Sequence, residues 1–185
     1  KKAWIYVVDA ARKIGADNIL WMWCAHGPSI DLPKDEWNAL VHYYPGNDYV
    51  DWFSIDAYNW YDWDPWGGKR PYLSFDDCFR DVYNELLALD KKPIAIAETS
   101  CGKHKYKTMD GRILTKADWI KDLFNKLNTD YYWIKMRVWF NISKERNWLV
   151  NSSEKVLKEF KKGVKSTGFT SIPHTYRDYI NKKRK

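Results

Sequence analysis

A parallel α/β fold is what this sequence predicts, and three observations predict it. Four apolar strand-like runs are each followed by a stretch with helical periodicity. The segments after the strands are long, as in folds that return to the same edge of a sheet through a helix. The first unit is preceded by a helix with no strand of its own. An intact (β/α)₈ barrel needs about 250 residues, whereas this chain has 185. The arrangement therefore reads either as an open α/β sheet or as half of a barrel. The unpaired opening helix favours the C-terminal half, strands five to eight of a (β/α)₈ TIM barrel.

Each element follows from its residues. Trp4, Val7, Val8 and Ala11 recur at helical spacing and stop at Gly15, a residue suited to ending a helix. Residues 18–24 read as a buried strand, and residues 28–40 as a loop with a short helix near 34–41. A second strand is expected at 50–58. It leads into a long loop, 59–71, that carries Trp60, Trp63 and Trp66 with two glycines. An amphipathic helix follows at 75–89, a third strand at 93–98, a polar loop, a helix at 116–127 and a fourth strand at 133–140. The last helix covers about 153–164. The half barrel is placed at residues 1–165, and 166–185 form a basic C-terminal extension.

Composition bounds the function. The sequence is 45% hydrophobic and 30% charged, which is globular rather than disordered. With 12 Trp and 13 Tyr it is rich in aromatics. Those rings can fill a core, or they can present flat faces that stack on the apolar C–H faces of sugars. The net charge of +7 comes mainly from the end of the chain, where Lys158, Lys161, Lys162, Lys165, Lys182, Lys183, Arg184 and Lys185 meet few acids. Such a tail can grip nucleic acid or anionic lipid; a solvated terminal helix is the preferred reading. Cys24, Cys78 and Cys101 are odd in number and lack metal-ligand spacing, so neither a disulfide framework nor a zinc site is implied. No run of 18 apolar residues spans a membrane. The chain opens at Lys1-Lys2-Ala3-Trp4 in what reads as the middle of a helix, so an upstream segment carrying an export signal is compatible with it.

Barrel chemistry sits where the strands end. Alternation puts Ile94, Ile96 and Glu98 on one strand face and the small Ala95 and Ala97 on the other, against the helices. Glu98 thereby ends its strand on the inward face. It reads as a site carboxylate, against the alternative of an ion-paired or solvated strand-end acid. In the second strand Trp52, Ser54, Asp56 and Tyr58 share the polar inward face, with Phe53, Ile55 and Ala57 outside. The Tyr58 hydroxyl is thereby in position to hydrogen-bond Glu98 and orient it. On the fourth strand Trp139 shares a face with Arg137. If that face is inward, the guanidinium is buried and needs a carboxylate, for which Asp56 is the candidate.

These residues carry a resemblance. The run Tyr43-Tyr-Pro-Gly-Asn-Asp-Tyr-Val-Asp-Trp-Phe-Ser-Ile-Asp-Ala-Tyr58 resembles the sixth-strand signature of glycoside hydrolase family 26, the β-mannanases and related β-glycanases. Lys92-Pro-Ile-Ala-Ile-Ala-Glu-Thr99 resembles its seventh strand, Ile134-Lys-Met-Arg-Val-Trp-Phe-Asn141 its eighth and Leu20-Trp-Met-Trp23 its fifth. The resemblance covers about residues 1–160. It implies that Glu98 is the nucleophile of a retaining mechanism, that Tyr58 holds it, and that Trp139 is the sugar platform at the cleaved subsite. Trp23 and Asp56 are assigned to substrate as well. Trp60, Trp63 and Trp66 are placed at further subsites from their chemistry alone. The family's acid/base glutamate lies at the end of its fourth strand, and no residue here matches that motif. Two positions depart from the family pattern: Cys24-Ala-His26-Gly27 ends the fifth strand, and Arg137 stands at an apolar position.

The expected function is thus endo-acting, retaining hydrolysis of a β-linked polysaccharide such as β-mannan, in which the isolated chain lacks its proton donor. The expected partners are that polysaccharide and the N-terminal half-barrel segment or a second chain. No cofactor, metal, nucleic acid or membrane is expected, and the resemblance favours an extracellular location. One rival is a barrel that binds carbohydrate without cleaving it. Another is a nucleic-acid-binding domain built on the basic tail, but no nucleic-acid motif accompanies that tail.

Overall fold

A computed structural model describes residues 1–28, 36–62 and 68–168. Helix α1 (Lys2–Lys13) is followed by strand β1 (Met22–His26), three short 3₁₀ turns and strand β2 (Trp52–Asn59). Helix α2 (Phe75–Leu89) and strand β3 (Ile94–Cys101) come next. The hairpin of β4 (Lys105–Lys107) and β5 (Ile113–Thr115) leads into helix α3 (Lys116–Thr129). Strand β6 (Ile134–Trp139) and helix α4 (Glu154–Ser166) complete the order. Strands β1, β2, β3 and β6 form one sheet in that order, and every pairing in it is parallel. The four expected strands and four expected helices are present, with ends shifted by a few residues. The segment between β3 and α3, expected as a polar loop, contains the antiparallel pair β4–β5. The short helix expected near 34–41 is two 3₁₀ turns, Glu36–Asn38 and Leu40–His42.

The helix starts are set by local chemistry. Ser74 caps α2: its Oγ accepts the Asp77 amide at 3.1 Å while the Asp77 carboxylate accepts the Ser74 amide at 2.8 Å. Thr115 and Asp118 make the same reciprocal arrangement on α3. Each pair satisfies amides that the first helical turn leaves without partners. Ser153 caps α4 by accepting the Val156 amide.

One face of the sheet meets the helices. Phe53 and Ile55 of β2, Ile94 and Ile96 of β3, and Ile134 of β6 are buried with Phe75, Phe79 and Leu86 of α2 and with Trp119, Ile120, Leu123 and Phe124 of α3. Burial of this apolar surface is the main term favouring the fold. Helix α4 reaches the same layer through Val156 and Phe160. It lies so close to α3 that a Cβ at Gly163 would fall 1.9 Å from the Phe124 ring, so only glycine permits that crossing. On the opposite face Cys24 is exposed, as are Met136 and Val138, at 37% and 47%.

Candidate active site

The site is built where β1, β2 and β3 end. Straight alternation would put Glu98 beside Ile94 and Ile96, and those two isoleucines face the helices. The register shows how Glu98 escapes them. Ile55 pairs with Ile96 and Asp56 with Glu98, so one residue on β2 faces two on β3. Ala97 is the extra residue of a β-bulge, and the bulge turns Glu98 to the other face. The expectation that Ile94, Ile96 and Glu98 share the inward face is therefore corrected. Glu98 does face away from the helices, while the isoleucines face them.

Across that register Asp56 and Glu98 sit side by side, and Tyr58 lies two residues further along β2. The Tyr58 hydroxyl donates to Glu98 Oε2 at 2.5 Å. Burial, then this bond to a carboxylate, raise the Tyr58 pKa well above the phenol range, so at neutral pH the phenol keeps its proton and remains a donor. Asp56 has one carboxylate oxygen, Oδ1, that is buried without a hydrogen-bond partner. Burial, followed by the nearby Glu98 charge against the help of the Cys24 thiol, raises its pKa. Cys24 and His26 of β1 stand opposite Ser54 and Asp56. Although the residue is exposed, partial burial of its sulfur, with the Asp56 and Glu98 charges adding to it, lifts the Cys24 thiol to about 11, which leaves it protonated and a poor nucleophile.

Strand β1 is fixed at its end by Gly27. Its amide donates to the Asp56 carbonyl at 2.7 Å. An added Cβ there would lie 2.6 Å from the Ala57 Cβ and 3.1 Å from the Cys78 carbonyl. The Cys24-Ala-His-Gly27 ending thus brings the backbone against β2 and α2 more closely than any side chain allows.

Aromatic rings wall the strand ends. Tyr58 meets Trp60 at 6.1 Å, Phe140 at 5.8 Å and Trp148 at 5.4 Å, and Trp60 stands edge-on to Trp148 at 4.8 Å. Trp148 is fully buried and half-buried Trp60 is the ring of this group nearest the loop. Phe140 and Trp148 were not among the expected site residues. The signal for Phe140 was its position one residue past the end of β6.

Two expected tryptophans lie elsewhere. The Trp139 indole packs on Trp119 and Phe160 and donates to the Trp148 carbonyl at 2.8 Å. It belongs to the helix side, because Thr99, its register partner, faces that side with Ala57. Trp23 is buried against Tyr44 and Phe53. Arg137 is likewise on the helix side: its guanidinium lies 4.2 Å from the Phe124 ring centre and 5.5 Å from that of Phe160. Its place is a cation–π sandwich, which replaces the expected partnership with Asp56. Trp63, Trp66 and the basic residues 169–185 lie outside the described residues. Among the described residues no cluster of His, Cys, Asp and Glu is arranged to hold a metal ion.

Comparison with known proteins places these features in context. No family model matches the chain. It is 32% identical over 162 residues, 88% of its length, to endoglucanase H of Acetivibrio thermocellus. A solved GH113 β-1,4-mannanase complex shares the fold, with a TM-score of 0.51 at 13% identity over 89% of this chain and 50% of that one. A GH26A structure from Muricauda sp. superposes with a TM-score of 0.47 at 24% identity, covering 90% of this chain and 40% of that one. The chain spans 16% of the length of the curated relative. The GH113 structure shares the parallel α/β fold of this chain, and endoglucanase H matches it in sequence along most of its length.

Proposed function

We propose that the chain is the strand-five-to-eight half of a (β/α)₈ glycoside hydrolase, and that Glu98 is the nucleophile of a retaining cleavage of a β-linked polysaccharide. The observation that carries this reading is the Tyr58–Glu98 hydrogen bond at the mouth of a parallel sheet. A strand-end carboxylate on the face away from the helices, held by a phenol, is what attack at an anomeric carbon requires. The exposed face that bears Cys24, Met136 and Val138 is then the barrel interior, which four further strands cover.

In this mechanism a Glu98 oxygen attacks the anomeric carbon as the glycosidic bond breaks, giving a covalent glycosyl–enzyme. A second carboxylic acid protonates the departing oxygen and then takes a proton from the water that releases the sugar. Retaining enzymes hold the two carboxyl groups about 5–5.5 Å apart. The acid/base belongs to the other half of the barrel. Tyr58 keeps one Glu98 oxygen occupied and so aims the other. Asp56 lies beside the nucleophile, and Trp60 offers a ring face to a neighbouring sugar. Trp63 and Trp66 are proposed for further subsites from their chemistry alone. The relatives are a mannanase and an endoglucanase, so β-mannan and β-glucans are the substrates to try first.

The test is Glu98→Ala in the intact protein, assayed on β-mannan, β-xylan and mixed-linkage glucan. Turnover is lost and oligosaccharide binding is nearly unchanged, because stacking does not depend on the carboxylate. Turnover that survives the substitution removes Glu98 from the role. The 185-residue chain alone hydrolyses none of the three.

A further inference from the structure

Beyond the strand ends, the chain has a second concave surface. A pocket of about 430 Å³ lies between the loop after β3 and the starts of α3 and α4. Lys103, His104 and Lys105 line it from the loop, Thr115, Lys116 and Ala117 from α3, and Ser152, Ser153, Lys155 and Val156 from α4. Four of these ten side chains are lysines.

Two of the groups are buried in an unusual way. Lys116 is 2% exposed, and its ammonium donates to the Asn147 carbonyl at 3.0 Å and lies 5.6 Å from the Trp139 ring centre. Among the described residues no carboxylate pairs with it. A buried ammonium without an anion is costly, and burial, with the Arg146 charge adding to it, lowers this one to about 8. His104 is 8% exposed. Its Nδ1 bonds the Gly102 carbonyl at 2.9 Å, and Tyr61 and Tyr72 pack edge-on to its ring. Its Nε2 is buried and has no hydrogen-bond partner. Arg146 lies against the same loop, where a Cβ at Gly102 would fall 2.3 Å from its Nε.

The surrounding charge is mainly positive, against one acid in the first turn of each helix, Asp118 on α3 and Glu154 on α4. The amino ends of α3 and α4 direct their partial positive charge at the pocket. Of these acids, Asp118 is committed to the amide and hydroxyl of Thr115, with Lys155 3.9 Å away. We propose that this pocket is an oxyanion site, holding a carboxylate, sulfate or phosphate group between Lys116, His104 and the amino ends of α3 and α4. Burial lowers the pKa of the His104 imidazole, so with Nδ1–H given to Gly102 its Nε2 takes up a proton only as the anion binds and then donates to it; the anion also supplies the counter-charge that Lys116 lacks among the described residues. The anion is either free in solution or carried on an acidic sugar of a glycan, since the pocket follows the same strand that bears Glu98.

The experiment titrates the full chain by calorimetry, with the His104 imidazole followed by NMR, at ionic strength held constant with chloride. The probes are sodium sulfate, methyl β-glucuronide and the neutral methyl β-glucoside. Sulfate and the glucuronide bind saturably at one site and shift the His104 resonances; the glucoside does neither. Glucuronide binding at least ~10-fold tighter than sulfate assigns the site to a glycan-borne acid, and equal affinities assign it to a free anion. Lys116→Met weakens binding ~10-fold or more. Should that variant fail to fold, exposed Lys103, Lys105 and Lys155 changed together to Ser weaken binding at least ~3-fold, as charges at a rim do. Linear, non-saturating titrations, equal binding of the glucoside, or affinity unchanged in the folded variants overturns the proposal. The readout is binding alone, so its failure leaves the reading of Glu98 as it stands.

Discussion

Asp56 and Glu98 are register partners across β2 and β3, and they share a face because Ala97 is bulged out between Ile96 and Glu98. Two carboxylates side by side, one with a buried oxygen, cannot both ionise without cost. Folding raises the Asp56 pKa above its ordinary value of 3.8, mainly through burial and then through Glu98. For an acid raised in this direction, the folded state is favoured at low pH. That contribution is lost as pH climbs from about 4 through the folded value. Asp56→Asn removes the penalty, so the variant is more stable than the parent at pH 7 and melts at a higher temperature. The difference vanishes near pH 3. Paired thermal melts across that range check it, and a variant less stable at pH 7 contradicts it.

Asp76 has the opposite sign. Burial pushes its pKa up, but hydrogen bonds from Lys126, Arg80 and Tyr131 outweigh that and hold it at about 2. An acid lowered in this way contributes stability above pH 3.8 and loses it as pH falls towards 2. Asp76→Asn therefore costs about 1–2 kcal/mol at neutral pH, after allowing for solvent screening, and nothing at the acid end. Urea titrations at pH 7 and at the lowest pH where the chain stays folded give the comparison.

Tyr58→Phe tests the hold on the nucleophile in the intact protein. Removing a hydrogen bond to a charged group costs about 1.5–3 kcal/mol, which is roughly tenfold to a hundredfold in rate. The loss falls on kcat with KM little changed, since Tyr58 positions Glu98. A rate equal to the parent's removes Tyr58 from that role.

Gly163→Ala sets two effects against each other. Alanine improves helix propensity by about 1 kcal/mol. The new Cβ, however, meets Phe124 ring carbons at 1.9–2.3 Å, and Phe124 is held by Phe160 and the Arg137 guanidinium. Overpacking of this kind costs about 1–3 kcal/mol, so the clash wins. Chemical denaturation shows a net loss in midpoint, and a gain shows that α4 can slide off α3.

Much of this architecture was legible because the relevant signals are local. Ser74 and Asp77 announce the start of α2, whose span of 75–89 matches the reading from periodicity. The polar face Ser54, Asp56 and Tyr58 stands out against Phe53 and Ile55, and it led to the Tyr58–Glu98 pair. What alternation missed is the bulge at Ala97. A bulge depends on pairing between strands some forty residues apart, and no local signal marks it. The packing contacts of Trp139 and Trp23 were hidden for a related reason. An indole suits a packed core as well as a sugar face, and only the register decides. The β4–β5 hairpin, built from Lys105-Tyr-Lys107 and Ile113-Leu-Thr115, is too short and polar to be told from a loop.

The parallel pairing has a kinetic consequence. Met22 meets Trp52, Phe53 meets Ile94, and Ile94 meets Ile134, so every contact that knits the main sheet joins residues thirty or more positions apart. Among the described residues no hairpin lies within that sheet to nucleate it. Each strand must wait for a long loop to close before its bonds repay the lost chain entropy. Helices α2 and α3, with their built-in caps, form in microseconds, whereas the sheet is assembled from them afterwards. Refolding is therefore slow for a chain of this length, and the rate-limiting event is the docking of strands onto helices already made.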